Sequence, residues 1–383
     1  MGEKKSYLEQ NWDYLVQFFP VGWAEQAKKL GAFFYGKKIP NPERLLRVLL
    51  IHLIDGVSLR ETAVRADLGG IVSVSDVALL KRLRNASEWF RWMAHQLASK
   101  WLPHYPQPLA LQGFRLRIVD ATVVNEPGAT GSDWRIHYSV DPFSFLCQEF
   151  LVTDNKVGES LFNFEVRPGD VFLLDRGYFH PKAIESVSEK GGYVVVRMVS
   201  GRPLYNHRGK PWHLIKKLRR LKKNQVADWP VFLEGKNGLV EGRVCATRKT
   251  PAAAKAARKK VLLQAQKKGN IVKQETLECA GYIFVFTTLP KDMVDATTVL
   301  ELYRCRWQVE LVFKRMKSLL QLGHLPKQSK EVARAWLHGK LFSAFLVEVL
   351  VNYGLSFSPW GHPNFQESEG KKTVMKPKVV CQH

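Results

Sequence analysis

The chain has 383 residues, of which 45% are hydrophobic and 24% charged, a composition typical of a soluble globular protein with two or three domains. Its 58 Lys and Arg residues against 35 Asp and Glu residues give a formal net charge of +23, which predicts a polyanionic partner, nucleic acid before an anionic membrane surface. The start of the chain is charged and has no apolar run, and the five cysteines form no CxxC pair. We therefore expect no signal peptide, no disulfide framework and no zinc site, and a reducing cytosol as the compartment.

Residues from about 10 to 105 are predicted to be helical, because segments such as PERLLRVLLIHLIDG repeat apolar residues at steps of three and four. Ser58 is predicted to cap one helix and Ser75 the next, which carries Lys81, Arg82 and Arg84. Two short helices around a glycine turn fit either a helix-turn-helix-like DNA contact or an ordinary helical bundle with solvated charges. We assign residues 1–108 to a helical, DNA-binding N-terminal domain.

From about residue 112 the chain changes to short segments rich in β-branched and aromatic residues, which predict strands. These segments are FRLRIVDATVV, FSFLCQEFLVT, LFNFEV, VFLLDRG and, after a predicted helix at PKAIESVSEKGG, YVVVRM. The pattern indicates a mixed α/β sheet whose strands end at acidic residues. Residues 109–198 are assigned to the first part of this core.

Residues 199–290 are predicted to form a mostly β insertion into the α/β core, with strands at PVFLEG, LVEGRVCAT, IVKQETLE and YIFVFTTL. The insertion carries two basic runs without acidic residues. The first contains Lys216, Lys217, Arg219 and Arg220, and the second, TRKTPAAAKAARKKVLLQAQKKGN, is predicted to be a helix or a mobile loop. Two such runs favour contact with phosphates over a solvated loop.

Residues from about 295 to 320 predict one long helix, stopped by Gly323 and Pro326, and a second apolar helix follows over about 332–351. The apolar stretch at 341–351 is only about half the length of a bilayer-spanning helix, so we expect no membrane segment. Residues 291–353 would complete the α/β core, and residues 354–383, rich in Gly, Pro, Ser and Lys, predict a disordered tail.

The long helix carries a narrow polar stripe. On an ideal helix Tyr303, Arg306, Glu310 and Lys317 fall within about 60° of one another, and Lys314 joins them. The other sides are apolar, which predicts a buried helix whose stripe faces a cleft or a partner. A structural ion-pair ladder of Arg306, Glu310 and Lys314 is the alternative interpretation.

Two further carboxylates follow buried strands. Asp120 ends FRLRIVD, and Asp175 ends VFLLD, just before Arg176. Acids at the ends of neighbouring strands converge at one edge of a sheet, which is the usual place for an α/β active site, although a single strand-end Asp is more often a turn or cap residue. Three clustered carboxylates suit two Mg²⁺ ions about 4 Å apart, which can activate a nucleophilic oxygen and stabilise the leaving oxygen at a phosphodiester.

The pattern Tyr303-x2-Arg306-x3-Glu310-x6-Lys317 resembles the Y-R-E-K signature of the IS4-type family of bacterial insertion-sequence transposases. RIVDATVV around Asp120 and FLLDRGY around Asp175 are similar to the first and second acidic blocks of that family. The resemblance covers about residues 40 to 350. It implies a ribonuclease-H-like core, a mixed sheet flanked by helices, interrupted by a β-rich insertion before the helix that bears the final Glu.

The resemblance also implies roles for these residues. Asp120, Asp175 and Glu310 would be the metal-binding D-D-E acids, with Mg²⁺ as cofactor and Mn²⁺ as a substitute. The same resemblance implies phosphate contacts from Tyr303, Arg306 and Lys317 at the transposon end. The expected partners are double-stranded DNA, as element ends and target, and a second copy of the chain in the synaptic complex, in the bacterial cytoplasm at the nucleoid.

Some family members excise through a DNA hairpin and stack an extruded base on an aromatic side chain of the insertion. Trp212, Trp229 and Tyr282 are candidates for such a role, and none of them matches the family motif. Two other functions also remain open: a ribonuclease-H-like nuclease that cuts without joining, and a non-catalytic DNA-binding protein derived from a transposase. Retention of all three acids argues against the second, because a binding role needs no clustered carboxylates.

Overall fold

A computed structural model describes residues 7–36, 38–100, 111–126, 133–319, 322, 325 and 329–356. Three sequence predictions lie outside these residues: most of the tail at 354–383, the helix stop at Gly323 and Pro326, and the boundary after residue 108. In the part of the chain that is described, the strands join in one mixed sheet with helices on both of its faces.

The amino-terminal part is helical, as predicted. Its helices are α1 (Tyr7–Val16), α2 (Trp23–Lys29), α3 (Pro42–Asp55), α4 (Leu59–Leu68), α5 (Asp76–Asn85) and α6 (Ser87–Lys100). The predicted caps are present, since the Ser58 hydroxyl accepts from the backbone N–H of Glu61 at 3.1 Å and the Ser75 hydroxyl accepts from that of Ala78 at 3.3 Å. Lys81 lies on the exposed side of α5. A helix-turn-helix contact with DNA through α4 and α5 stays a prediction.

The sheet contains β1 (Arg115–Val124), β2 (Trp134–Val140), β3 (Cys147–Asp154), β4 (Asp170–Leu174), β5 (Tyr193–Arg197), β6 (Val226–Glu234), β7 (Leu239–Arg248) and β8 (Tyr282–Thr287). Their order across the sheet is β3-β2-β1-β4-β5-β8-β7-β6. Strands β1, β4 and β5 are parallel, and the remaining pairs are antiparallel. The predicted fold class is confirmed: β3-β2-β1-β4-β5 is the ribonuclease-H-like half of the sheet, and β8, β7 and β6 extend it.

The remaining helices connect and cover these strands. They are α7 (Pro181–Glu189), α8 (Leu214–Arg219), α9 (Pro251–Lys267), α10 (Gln274–Cys279), α11 (Ala296–Cys305), α12 (Gln308–Leu319) and α13 (Lys330–Ser356). The region predicted as a mostly β insertion therefore contains three of the described helices as well as β6, β7 and β8. No helix in the described ranges is long and apolar enough to cross a bilayer.

Both faces of the sheet are buried, because successive side chains of a strand point to opposite sides. In β1, Ile118 packs into a core that contains the amino-terminal helices, α11, α12 and α13, whereas Val119 packs into a second core with α7 and α8. The amino-terminal helices thus share a hydrophobic core with the sheet. Helix α13 lies between them and contacts α3, α5, α6 and β3.

Two predicted strands are wrong, and one strand was missed. LFNFEV forms a 3-10 turn at Leu161–Asn163, where the Ser160 hydroxyl accepts from the N–H of Phe162, and IVKQETLE forms α10 because its Gln and Glu residues favour helix. The missed strand is β2, whose polar His137 and Ser139 obscure the strand pattern. Both are fully buried, and His137 lies 3.1 Å from the Thr153 hydroxyl of β3.

Gly339 sets how closely α13 approaches α3. A β-carbon at this position would lie 2.6 and 2.9 Å from the two methyl carbons of the buried Leu53. We expect Gly339→Ala to lower the free energy of unfolding by about 1–3 kcal/mol through overpacking. Urea denaturation followed by circular dichroism measures the change.

Gly354, near the other end of the same helix, provides the matched control. A β-carbon there meets no atom within 4 Å, so Gly354→Ala should leave stability unchanged or raise it by up to about 1 kcal/mol, through better helix propensity. Equal effects of the two substitutions would contradict close packing at Gly339.

Candidate active site

Asp120 and Asp175 are neighbours across two parallel strands. The last residue pair of β1 and β4 is Val119 with Leu174, so the next residue of each strand is an aspartate at the same edge of the sheet. The register is supported by an ion pair inside the sheet, in which the fully buried Arg117 guanidinium in β1 donates to the Asp170 carboxylate at the start of β4, at 3.1 Å. Buried strands and a buried ion pair therefore place the two acids side by side.

Asp175 has an unsatisfied oxygen. Its Oδ1 atom is buried and has no hydrogen-bond partner, although the residue precedes a 3-10 turn (Arg176–Tyr178) whose N–H groups an aspartate often caps. The Tyr178 hydroxyl is also buried without a partner. Burying such a polar atom without a partner costs about 1–3 kcal/mol. The hydrogen bonds within the fold therefore leave two polar atoms at this edge of the sheet unsatisfied.

Asp120 is held in an environment that opposes its charge. Burial raises its pKa to about 6, the negative charges of Glu159 and Asp175 act in the same direction, and the Ala121 N–H and Arg306 act against them. The carboxylate side chain keeps 21% of its surface exposed and accepts a hydrogen bond from the Ala121 N–H at 2.8 Å. Asp120 therefore lies at the wall of a cleft and remains accessible.

Arg306 connects the acids of the sheet with the helix. Its Nη1 atom lies 3.8 Å from Asp120 Oδ2, and its Nη2 atom donates to Glu310 Oε1 at 3.1 Å. Burial alone would lower the pKa of this guanidinium, but the charges of Asp175 and Asp120 and the hydrogen bond to Glu310 raise it. A largely buried cation thus neutralises part of the acidic cluster.

The predicted single helix is wrong, because α11 ends at Cys305 and α12 begins at Gln308. Between them the backbone tightens, with i→i−3 hydrogen bonds from Arg306 to Tyr303, from Val309 to Arg306 and from Glu310 to Trp307. The turn keeps the polar residues on one side. Glu310, Lys314 and Lys317 line the same cleft of about 670 Å³ as Asp120.

The expectation that this helix is buried is also corrected. Val309, Val312, Phe313 and Met316 are buried, but Trp307 is 38% and Leu311 42% exposed. Glu310 itself keeps 62% of its side chain exposed. In the described residues no three His, Cys, Asp or Glu side chains are close enough to hold a metal ion. The structure brings Asp120 and Asp175 together and leaves Glu310 across the cleft, attached to Arg306.

Tyr303 lies on the other side of Arg306, towards β5. Burial raises the pKa of its hydroxyl, the charge of Asp175 adds to the increase, and Arg197 and Arg306 oppose it. Tyr303 and Arg306 therefore lie within electrostatic reach of Asp175, whereas Glu310, Lys314 and Lys317 line the cleft together with Asp120. The ion-pair ladder is present only between Arg306 and Glu310.

The predicted basic residues of the insertion lie near the same edge. Arg176 follows Asp175 directly, and both Arg176 and Arg219 are within electrostatic reach of the Cys279 thiol. On α8, Lys216 and Arg220 are exposed and Lys217 is half-buried. Arg219 is exposed but paired with Glu278 at 2.9 Å.

The aromatic candidates for hairpin stacking pack inside the insertion. Trp212 and Trp229 contact each other with ring centroids 5.8 Å apart, and both, like Tyr282, are half-buried against the second core. A role in base stacking stays a prediction.

Glu159 and Arg197 are site residues that sequence reasoning missed. Glu159 follows β3 in a loop without a recognisable motif, and its charge reaches both Asp120 and Tyr178. Arg197 ends β5, the strand next to β4, and its charge reaches Tyr303. The signal that finds Arg197 is its position at the end of a buried strand, the same signal that singled out Asp120 and Asp175.

Residues 112–346 match the family model described as "Transposase DDE domain". The chain belongs to the DDE transposase family. This match spans β1, β4 and the helices that bear Tyr303 to Lys317. It confirms the transposase resemblance predicted from the sequence.

Named relatives agree with this assignment. The putative transposase InsL for insertion sequence element IS186A of Escherichia coli (strain K12) is 32% identical over 363 residues, 92% of this chain and 97% of the relative. The transposase for IS421 of Escherichia coli is 32% identical over 364 residues, with the same coverage. The transposase for IS231B of Bacillus thuringiensis subsp. berliner is 25% identical over 61% of this chain and 55% of its own length. These relatives support membership in the IS4-type group.

Among solved structures, the piggyBac transposase in its synaptic complex with hairpin DNA is 10% identical, with a TM-score of 0.46 over 90% of this chain and 73% of that chain.

Family membership makes this chain an enzyme of DNA cleavage and strand transfer, and it implies a DNA partner and the use of a divalent metal.

Replacing Asp120 with Asn should stabilise the metal-free protein at neutral pH. The pKa of about 6 in the folded state exceeds the ordinary 3.8, so ionisation of Asp120 opposes folding increasingly as the pH rises between these values. The gain from Asp120→Asn should be near zero at about pH 4 and on the order of 3 kcal/mol above pH 6. Thermal unfolding without divalent metal, from about pH 4 to pH 8, measures the difference from wild type.

The control is Asp292→Asn, at an exposed carboxylate in the turn before α11. It should change stability little at any pH. A stabilisation by Asp120→Asn that is the same at both ends of the pH range would contradict an elevated pKa as its cause.

Proposed function

We propose that this enzyme cleaves the ends of a bacterial insertion sequence and joins the 3′-OH ends to target DNA, with Asp120, Asp175 and Glu310 as its metal-binding acids. The observation that carries the proposal is the pair Asp120 and Asp175, side by side where the parallel pairing of β1 with β4 ends, with a buried Asp175 oxygen that lacks a partner. Glu310 faces Asp120 across the same cleft. These are acidic, oxygen-only ligands, which suit a hard cation.

The three acids fit Mg²⁺, for which Mn²⁺ is the expected substitute. When bound, two such ions would neutralise the charge that develops at a phosphodiester and stabilise the leaving oxygen. Asp120 and Asp175 would bind the metal on the side of the cleft that the sheet forms. Glu310 is exposed and held by a single hydrogen bond to Arg306, so its side chain can turn towards the aspartates without loss of packing.

The cations of the cleft would bind and orient the DNA. In the free protein Arg306 compensates the charge of the acids, and it becomes available for a phosphate when Glu310 turns away. Lys314 and Lys317, on the exposed side of α12, would bind the DNA backbone along the cleft wall. The Tyr303 hydroxyl, within electrostatic reach of Asp175, would donate to a phosphate there. Arg176, Lys216, Lys217, Arg219 and Arg220 would extend this contact into the insertion.

The proposed partners are double-stranded DNA, as element ends and as target, and a second copy of the chain that brings two ends together. The net charge of +23 supports the DNA part of this proposal, since counterion release rewards each phosphate contact. With such partners, the protein would act at the bacterial nucleoid in the cytoplasm.

The acids are tested by cleavage and strand transfer on a short duplex that carries the element's own terminal repeat, with Mg²⁺. Glu310→Gln, Asp120→Asn and Asp175→Asn should each lower cleavage by more than about 100-fold, the upper range for groups that only support a metal site, while DNA binding remains. Chelation of the metal should stop cleavage, and Mn²⁺ should restore it.

Glu301→Gln, at an exposed glutamate of α11, is the matched control and should keep full activity. Cleavage that persists in both Glu310→Gln and Asp120→Asn would contradict the assignment of these acids as metal ligands. Cleavage by wild type without joining of a pre-cleaved 3′-OH end would instead indicate a nuclease.

Lys317 is tested by the salt dependence of binding. If its ammonium contacts one phosphate, Lys317→Ala should make the slope of log K against log salt less negative by about 0.9. Lys190→Ala, at an exposed lysine after α7, should leave the slope unchanged. An unchanged slope in both variants would return Lys317 to a structural role.

A further inference from the structure

Helix α9 differs from the other long helices because almost none of its surface is packed. Thr250 caps its start by accepting from the N–H of Ala253 at 3.3 Å, and Ala254 is its buried residue. One further tie follows, from Arg258 Nε to the carbonyl oxygen of Leu277 in α10, at 3.2 Å. After Arg258 every residue of the helix is half-exposed or exposed. With a rise of about 1.5 Å per residue, this part reaches roughly 14 Å beyond its last anchor.

The exposed side of α9 is strongly cationic. Residues 242–274 contain no Asp or Glu. At 100° per residue, Lys255, Lys259, Lys260 and Lys267 fall within an arc of about 140° on the side opposite Ala254. None of the four makes an ion pair within the described ranges of the chain. Lys255 and Lys259, four residues apart, repel each other, so the isolated helix is under a charge strain that an anion would relieve.

Helix α9 starts at the same edge of the sheet as the acids. Strand β7 runs antiparallel to β8, which runs antiparallel to β5, so β7 ends at the edge where Asp175 follows β4. The sheet order places three strand steps, about 14 Å, between β4 and β7. The register carries the end of β7 three residues beyond the level of Asp175, so the two points are roughly 17 Å apart. Burial lowers the pKa of Lys249, which directly precedes Thr250, and the nearby charges of Arg197 and Arg176 lower it further. These two arginines therefore lie between the acids and the start of α9.

We propose that the outward lysine face of α9 binds the phosphate backbone of the duplex that is cut at the acids, beginning about five base pairs from the scissile bond. This inference rests on the proposed function, since it needs a duplex in the cleft. The distance follows from the roughly 17 Å between Asp175 and the end of β7 and a rise of about 3.4 Å per base pair. A second copy of the chain suits this face less well than DNA, because it carries the same net positive charge.

The test replaces Lys255, Lys259 and Lys260 together with Gln, which keeps the helix propensity and removes three charges. Binding of a duplex of about 40 base pairs that carries the element end is titrated over a range of salt concentrations. Three lost phosphate contacts should make the slope of log K against log salt less negative by about 2–3 units. The triple Lys→Arg variant keeps the charges and should keep the wild-type slope, which separates charge from a folding defect.

The matched control replaces Lys190, Lys236 and Lys291 with Gln. These exposed lysines lie by the starts of β5 and β7 and after the end of β8, at the opposite edge of the sheet. The net charge changes equally, so an equal loss of slope in this control would overturn the inference by showing an effect of total charge. An unchanged slope in the Lys255, Lys259 and Lys260 variant would overturn it too.

Hydroxyl-radical footprinting of the same complexes locates the contact. Protection that starts about five base pairs from the cleavage point should disappear in the α9 variant, while protection at the cleavage point stays. A uniform loss of protection over the whole footprint would contradict a local contact between α9 and the DNA. The two proposals fail separately, because an inactive wild-type protein that still shows the α9 effect refutes cleavage alone, whereas an active protein without that effect refutes the α9 contact alone.

Discussion

The burial of two neighbouring carboxylates at one edge of the sheet constrains the rest of this site. Asp120 and Asp175 are placed side by side by the parallel pairing of β1 and β4, and neither can move away without breaking strands that are buried on both faces. Burial and the nearby acids raise the pKa of Asp120 to about 6, so the fold holds a charge arrangement that opposes its own stability. Such an arrangement is typical of functional sites, where environment rather than residue type sets the pKa.

Arg306 explains how the metal-free protein tolerates this arrangement. The guanidinium lies between Asp120 and Glu310, and water screens its interaction with the largely buried Asp120 less than its interaction with the exposed Glu310. The tightened turn between α11 and α12 places it there, since a continuous helix would carry Arg306 and Glu310 on one straight ridge. The same contact keeps Glu310 away from the aspartates. An arginine that acts as counter-ion in the free protein and binds phosphate in the complex would couple DNA entry to assembly of the three acids.

The parts of this structure that the sequence predicted are those with a local signature. Apolar periods and caps such as Ser58 located helices, and acids that end apolar strands located Asp120 and Asp175. What failed depends on tertiary contacts. His137 and Ser139 sit in a strand because buried partners satisfy them, and the exposure of Trp307 and Leu311 follows from the turn that separates α12 from α11. Glu159 joins the site through a loop, for which no periodicity exists.

Positively charged residues lie at two different distances from the acids. Close to them, Arg306 is largely buried after the end of α11 and Arg197 is exposed at the end of β5, and the charges of both act on Tyr303. Farther out, the lysines of α9 stand on a helix with few anchors, so they can adapt to a backbone whose position varies with DNA sequence and bending. In the proposed reaction, the buried Arg306 and the exposed lysines of α9 would meet two different physical requirements. Cleavage would need the scissile phosphate fixed against the acids, whereas affinity from counterion release would need only that many cations lie near phosphates.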